Sequence, residues 1–101
     1  MDREALEKML DQGQDNALLR YTLGSIHLKE KSFEAAMEHL QRALEMDAKH
    51  SASWKLYGRA LAELGRADEA IAAYDKGIAV AEAKGDVQAA KEMRVFRKRL
   101  S

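Results

Sequence analysis

The chain contains no cysteine and no proline. Without cysteine it has no disulfide framework, no thiolate metal ligand and no thiol nucleophile, and nothing points to an oxidising compartment. Without proline, no helix is interrupted by a missing amide hydrogen or a ring clash. Aromatic residues make up only 6% of the 101 residues. No stretch approaches the roughly 18 apolar residues of a membrane span, so no membrane association is expected. The segment from Met1 to Gln12 carries Asp2, Arg3, Glu4, Glu7, Lys8 and Asp11, which leaves no apolar run for a secretory signal, and a cytoplasmic location is expected. No charge sign is in excess either. The 17 Lys and Arg balance 17 Asp and Glu, which argues against a uniformly basic nucleic-acid binder or an acidic solvating tail.

What is present is a hydrophobic share of 47% on an 11.3 kDa chain, enough for one core and too short for two, so residues 1–101 read as a single domain. The Ala, Leu, Glu and Lys content favours helix nearly throughout. An internal repeat is also visible. Gly24 and Gly58 are 34 positions apart, and the same offset joins Ala36 to Ala70, Leu40 to Tyr74, Ala43 to Gly77 and Leu44 to Ile78. Moving back by the same offset sets Leu6 on Leu40, Met9 on Ala43 and Leu10 on Leu44, so residues 1–14 read as the second half of a truncated repeat.

Each unit reads as two helices. Leu18, Leu19, Leu23, Ile26 and His27 follow helical spacing, a turn falls at Lys29 to Ser32, and Phe33, Ala36, Met37, Leu40, Ala43 and Leu44 form a second stripe. Trp54, Tyr57, Leu61 and Leu64, a turn at Gly65 and Arg66, then Ala70, Ile71, Tyr74 and Ile78 repeat the arrangement. Asp15 or Asn16, and then Ser32, are the expected N-caps. The pair Gly85 and Asp86 stops one helix and caps the next. The prediction is therefore all-α, with about six helices over 2–12, 16–30, 33–46, 51–64, 67–84 and 87–100.

Trp54, Tyr57, Gly58 and Leu61, followed by Ala70 and Tyr74, resemble the tetratricopeptide repeat, whose unit of 34 residues sets large and small residues at those spacings. The first copy keeps Leu23, Gly24, Ala36 and Leu40 but has Arg20 and His27 where the family has Trp and Tyr. The resemblance gives repeats at 17–50 and 51–84, with residues 86–101 as a C-terminal capping helix. It implies antiparallel helix pairs stacked as a short right-handed α-solenoid. Ala48 and Glu82 stand where the family usually has Pro, so the helix from Ala67 is expected to overrun by about one turn, to Gly85. The next helix is then displaced by one: Ala89, Met93 and Phe96 lie 35 beyond Trp54, Gly58 and Leu61, and with Leu100 they form one face that would seal the second unit.

The residues offer no catalytic constellation. His27, His39 and His50 lack metal-ligand spacing, His27 falls on a core position, and no two glycines make a phosphate loop, so no enzyme activity, cofactor, metal or small-molecule substrate is expected. Glu34 and Glu38 share helical spacing with Arg42 as a surface ion-pair ladder. What is left is a surface. The resemblance implies a concave groove that receives a peptide, lined by Leu18, Tyr21, Ser25, Leu28 and Lys29, by Ala52, Lys55, Arg59, Ala62 and Glu63, and on the last helix by Val87, Ala90, Arg94, Arg97 and Lys98. Such a groove runs from an apolar to a basic end. Residues 91–101 hold five bases and one acid, which suits acidic partners, although cations near a helix C-terminus also favour the dipole without any partner. Tyr21, Ser25 and Leu56 replace the Lys and Asn of the family's two-carboxylate clamp, so that clamp is not expected here.

The leading expectation is thus a monomeric protein-interaction module or adaptor. Two other readings remain: a self-assembling structural unit, since only two full repeats are present, and a nucleic-acid-binding last helix, which the neutral charge disfavours.

Overall fold

The computed structural model describes residues 2–101, and among them there are six helices and no strand: α1 (Arg3–Asp11), α2 (Ala17–Lys29), α3 (Phe33–Met46), α4 (Ser51–Glu63), α5 (Ala67–Lys84) and α6 (Val87–Leu100). The hairpins α2–α3 and α4–α5 pack most extensively, α3 packs on α4 and α5 on α6, and α2 touches α4 as α4 touches α6. Helices α2, α4 and α6 therefore form one layer, and α3 and α5 pack across it. Helix α1 lies on α2, where Leu6 closes a small core with Leu19 and Leu23. The principal core runs through the two repeats and into α6.

The four tight turns share one lock. After α1, α2, α4 and α5 the backbone N–H of Gln14, Ser32, Arg66 and Asp86 donates to the carbonyl five residues back, on Met9, His27, Leu61 and Ala81, at 2.8–2.9 Å. That closure needs a left-handed residue just before the donor. Gly13, Gly65 and Gly85 supply it at φ 85°, 76° and 75°, while in the first repeat the position is Lys31 at φ 62°. Asn16 caps α2 by accepting from the Leu19 amide at 2.8 Å, and Asp86 caps α6 by accepting from Ala89 at 3.2 Å. Ser32, expected to cap α3, makes no such bond.

The small and large residues of the repeat meet as pairs. A Cβ on Gly24 would fall 2.5 Å from Cγ of Leu40, and one on Gly58 would fall 2.6 Å from Cε1 of Tyr74, so each glycine lets the first helix of a unit press on its second. Trp54 is half-buried between the units. Its Cβ faces Gly77, and its indole Nε1 donates to the Ala48 carbonyl at 2.8 Å, tying the α3–α4 loop to α4. Helix α5 has 18 residues against 14 in α3, which is the expected extra turn, and it ends at Gly85. Helix α6 then seats Met93 in the notch of Gly77, where a Cβ would lie 2.5 Å from the sulfur. Ala89 and Met93 are buried and Phe96 and Leu100 half-buried against the core, so α6 seals the second unit with the expected face.

Candidate functional site

The inner layer is the surface that the repeat leaves open, and its residues divide by what holds them. On α2, Leu18 is 70% exposed, Ser25 is half-buried and Lys29 is exposed. Tyr21 is half-buried and sets its ring edge-on to His50, with centroids 4.8 Å apart. Leu28, expected to line the groove, is buried in the principal core instead, because the inward stripe of α2 extends to its last turn. On α4, the Lys55 ammonium pairs with Glu92 of α6 at 3.0 Å, and this hydrogen bond, with the cation behind it, holds the Glu92 carboxyl below the usual carboxylate range. Arg59 and Glu63 are exposed, one and two turns further on.

Helix α6 buries the expected face, but the flanks on either side of it are exchanged relative to the expectation. With Met93 pointing inward, Glu92, Phe96 and Arg99 lie on the flank towards α4, and Ala90, Arg94 and Arg97 lie on the flank towards α5. Arg94 pairs with Glu82 and Arg97 with Asp75, both acids of α5. Ala90 is buried. Lys98 and Val95 are exposed on the face away from the core, and Val87 is 74% exposed beside the Glu82 side. The bases expected at the groove's far end, Arg94 and Arg97, are therefore turned to the other flank and already matched by acids. Arg99, which the sequence reading did not place in the groove, takes that position.

The result is a cleft of about 520 Å³ at the α6 end of the inner layer. Arg59, Ala62 and Glu63 of α4 form one wall, Phe96, Arg99 and Leu100 of α6 the other, and Tyr74 of α5 lies at its floor. Burial pushes the Tyr74 hydroxyl up to about 12, with Arg59 and Glu63 near enough to oppose each other in their effect on it. Arg99 lies over the Phe96 ring at 5.7 Å. Neither Arg59 nor Arg99 is paired with a carboxylate among the described residues. The arrangement presents two cations at the rim of an apolar floor. The sequence carries only a partial signal for it: Glu92 is opposite in sign to Lys55, and Phe96 and Arg99 follow Glu92 at helical spacing, but the two helices must pack before that pairing selects a flank.

The other polar cluster lies at the junction of α2 and α3. His27 is buried and stacks on His39 with centroids 5.3 Å apart, and neither ring nitrogen of His27 has a hydrogen-bond partner. Arg20 reaches His39 Nδ1 at 3.2 Å and holds Asp15 through two bonds of 2.8 and 2.9 Å. That double bond keeps the Asp15 carboxyl low. Arg42 joins Asp15 at 3.9 Å and Glu45 at 2.6 Å, not the Glu34 and Glu38 ladder expected, because Asp15 offers a carboxylate already in place across the helix pair. Arg20 and His27, which depart from the family's Trp and Tyr, are thus one unit with His39. Among the described residues no group of three or more His, Asp or Glu could hold a metal ion, and no helix is long and apolar enough to cross a membrane.

With this geometry in view, the sequence profile of the family described as anaphase-promoting complex, cyclosome, subunit 3 matches residues 4–77. The TPR repeat-containing protein PA0015 of Pseudomonas aeruginosa is 50% identical over 97 residues, which are 96% of this chain and 92% of that protein. The chain belongs to the tetratricopeptide repeat family. Among solved structures, protein BPP2914 of Bordetella parapertussis superposes with a TM-score of 0.86 at 43% identity, over 99% of this chain and 87% of that one. A tetratricopeptide repeat domain protein of Salinibacter ruber superposes at 0.78 and 25% identity, over 86% and 88% of the two chains. The tetratricopeptide repeat is generally a fold of protein-interaction modules.

Proposed function

We propose that this tetratricopeptide repeat protein is an adaptor that docks an acidic peptide segment along its inner layer. The observation that carries the reading is the pair Arg59 and Arg99, unmatched by acids among the described residues, across an apolar floor of Tyr74, Phe96 and Leu100. A carboxylate-bearing side chain meets the guanidinium groups, which bind carboxylates through two parallel bonds, while a neighbouring apolar side chain covers the Phe96 ring. Leu18, Tyr21, Ser25 and Lys29 on α2 extend the contact, and Lys55, held by Glu92, shapes the middle. Glu63 rejects a second acid close to Arg59 and so sets the register of the peptide. Lys98, Arg94 and Arg97 add to the long-range field without touching the peptide.

The test is an NMR titration of the labelled protein with a short peptide of glutamate and leucine. Shifts concentrated on Arg59, Ala62, Phe96 and Arg99, and weakened by added salt, support the reading. Shifts confined to the α3 and α5 surface, or none at millimolar peptide, overturn it.

A further inference from the structure

The two ends of the stack carry complementary surfaces that the groove does not use. By the 34-residue offset α1 stands in the register of the second helix of a unit, and α6 stands in the register of the first, one residue displaced. The surfaces left open at the two ends are not the ones by which helices pair within a repeat, since Glu4, Lys8 and Asp11 correspond to Glu38, Arg42 and Glu45, which are exposed on α3. The face of α6 turned away from the core carries Lys91, Val95 and Lys98, with Val87 at its start; the two valines are 74% and 46% exposed. Lys91 and Lys98 have no carboxylate partner among the described residues, and residues 91–101 hold five bases against one acid. Helix α1 is the opposite. Leu6 points into the stack, and the side away from it presents Glu4, Asp11 and Lys8, flanked by Ala5 and by Glu7, around an open depression. The Arg3 guanidinium is already committed to Glu7 and Glu30, so Glu4 and Asp11 leave this face net acidic.

We infer that α6 of one molecule docks on α1 of a second copy, head to tail. The two valines cover Ala5 and the aliphatic stem of Lys8, and Lys91 and Lys98 meet Glu4 and Asp11. The contact is heterologous, with different patches on the two molecules, so it extends into a row instead of closing as a symmetric pair. Charge supplies much of the attraction and the apolar area is small, so the association is weak and salt-sensitive. It is independent of the peptide groove, since Arg59, Phe96 and Arg99 lie on the flank of α6 towards α4.

The test is sedimentation velocity of the full chain from micromolar to millimolar concentration at low and high salt. The wild type should show a weight-average mass that rises with concentration and falls back with salt. The variant Lys91→Glu with Lys98→Glu should weaken association at least about tenfold, and so should Glu4→Lys with Asp11→Lys. All four positions are exposed, and circular dichroism confirms that each variant keeps its helices. An equimolar mixture of the two variants should associate again, because each then offers the complement of the other. A wild type that stays monomeric to millimolar concentration, a closed dimer that does not grow, or a mixture no larger than its separate variants overturns the inference. Val87→Ser gives a second reading that leaves the charges unchanged: it should weaken wild-type association, and unchanged association contradicts the docking face.

Discussion

The α-carbon of Gly58 lies so close to the ring of Tyr74 that a Cβ there would sit 2.6 Å from Cε1. Tyr74 is 2% exposed and cannot swing aside without opening the second hairpin. Gly58→Ala should therefore destabilise by about 1–3 kcal/mol, since a methyl group forced into a filled site displaces its neighbours. In a Tyr74→Leu background the added cost should shrink, because the ring that obstructs the methyl group is gone. Chemical denaturation of the four proteins of this cycle checks it; equal costs in both backgrounds would separate the two residues.

Helix α6 is held by Met93 and Phe96, not by its arginines. Phe96 is half-buried with its ring 6.0 Å from that of Tyr74, so Phe96→Ala should cost about 2–3 kcal/mol, below the 3–5 kcal/mol of a fully buried phenylalanine. Arg94→Ala removes a surface ion pair to Glu82 and should change stability by less than about 0.5 kcal/mol. Thermal melts of the two variants give the comparison directly.

Lys31 occupies with φ 62° a position that glycine fills at the other three turns. Its side chain is exposed, so nothing is lost in packing when it is removed. Lys31→Gly should relieve the left-handed strain and stabilise the first repeat by about 0.5–1 kcal/mol, despite the greater freedom of glycine in the unfolded chain. Gly65→Lys, its counterpart one repeat later, should lose a similar amount. Urea midpoints for both variants decide the sign.

The His39 pKa lies below its ordinary value of 6.5, first because the ring is partly withdrawn from water, then because of Arg20 and His27, with Glu7 and Asp15 pulling the other way. The unfolded chain then takes up this proton at a higher pH than the folded one. Stability should be unaffected by His39 well above pH 6.5 and should fall as the pH drops through 6.5 towards the lower folded value. His39→Gln should flatten that part of the profile. Melting temperatures measured at intervals between about pH 7.5 and pH 5 test this, and an unchanged slope in the variant would assign the pH dependence to other groups.

The fold was legible because its marks are local. Gly24 and Gly58 at a 34-residue offset, and the absence of any stop between Ala67 and Gly85, were readable from spacing and turn chemistry, and so was the extra turn of α5, whereas the large partners of the two glycines, Leu40 and Tyr74, come from the paired helices. The site was legible only in part. A helical wheel gives the buried stripe of α6, Ala89, Met93, Phe96 and Leu100, but not which flank of that stripe meets α4 and which meets α5. That choice depends on how α6 packs with Met93 against Gly77, a tertiary contact, and it moved Arg94 and Arg97 to Glu82 and Asp75 while placing Arg99 across the cleft from Arg59. Leu28 was misplaced for a similar reason, since the width of the inward stripe of α2 is set by α3 and α4 together. The Arg20, His27 and His39 cluster was not readable at all, because its members are brought together only when α2 and α3 pair.

The central claim is that the cleft between Arg59 and Arg99 receives acidic peptide. Fluorescence anisotropy with a labelled glutamate and leucine peptide tests it on three proteins: the wild type, Arg59→Glu with Arg99→Glu, and Arg94→Glu with Arg97→Glu. The two variants change net charge equally, so the general field falls alike in both. The first should bind at least about tenfold more weakly than the wild type, and the second within about threefold of it. Equal losses in the two variants, or a larger loss in the second, would contradict the assignment of the cleft.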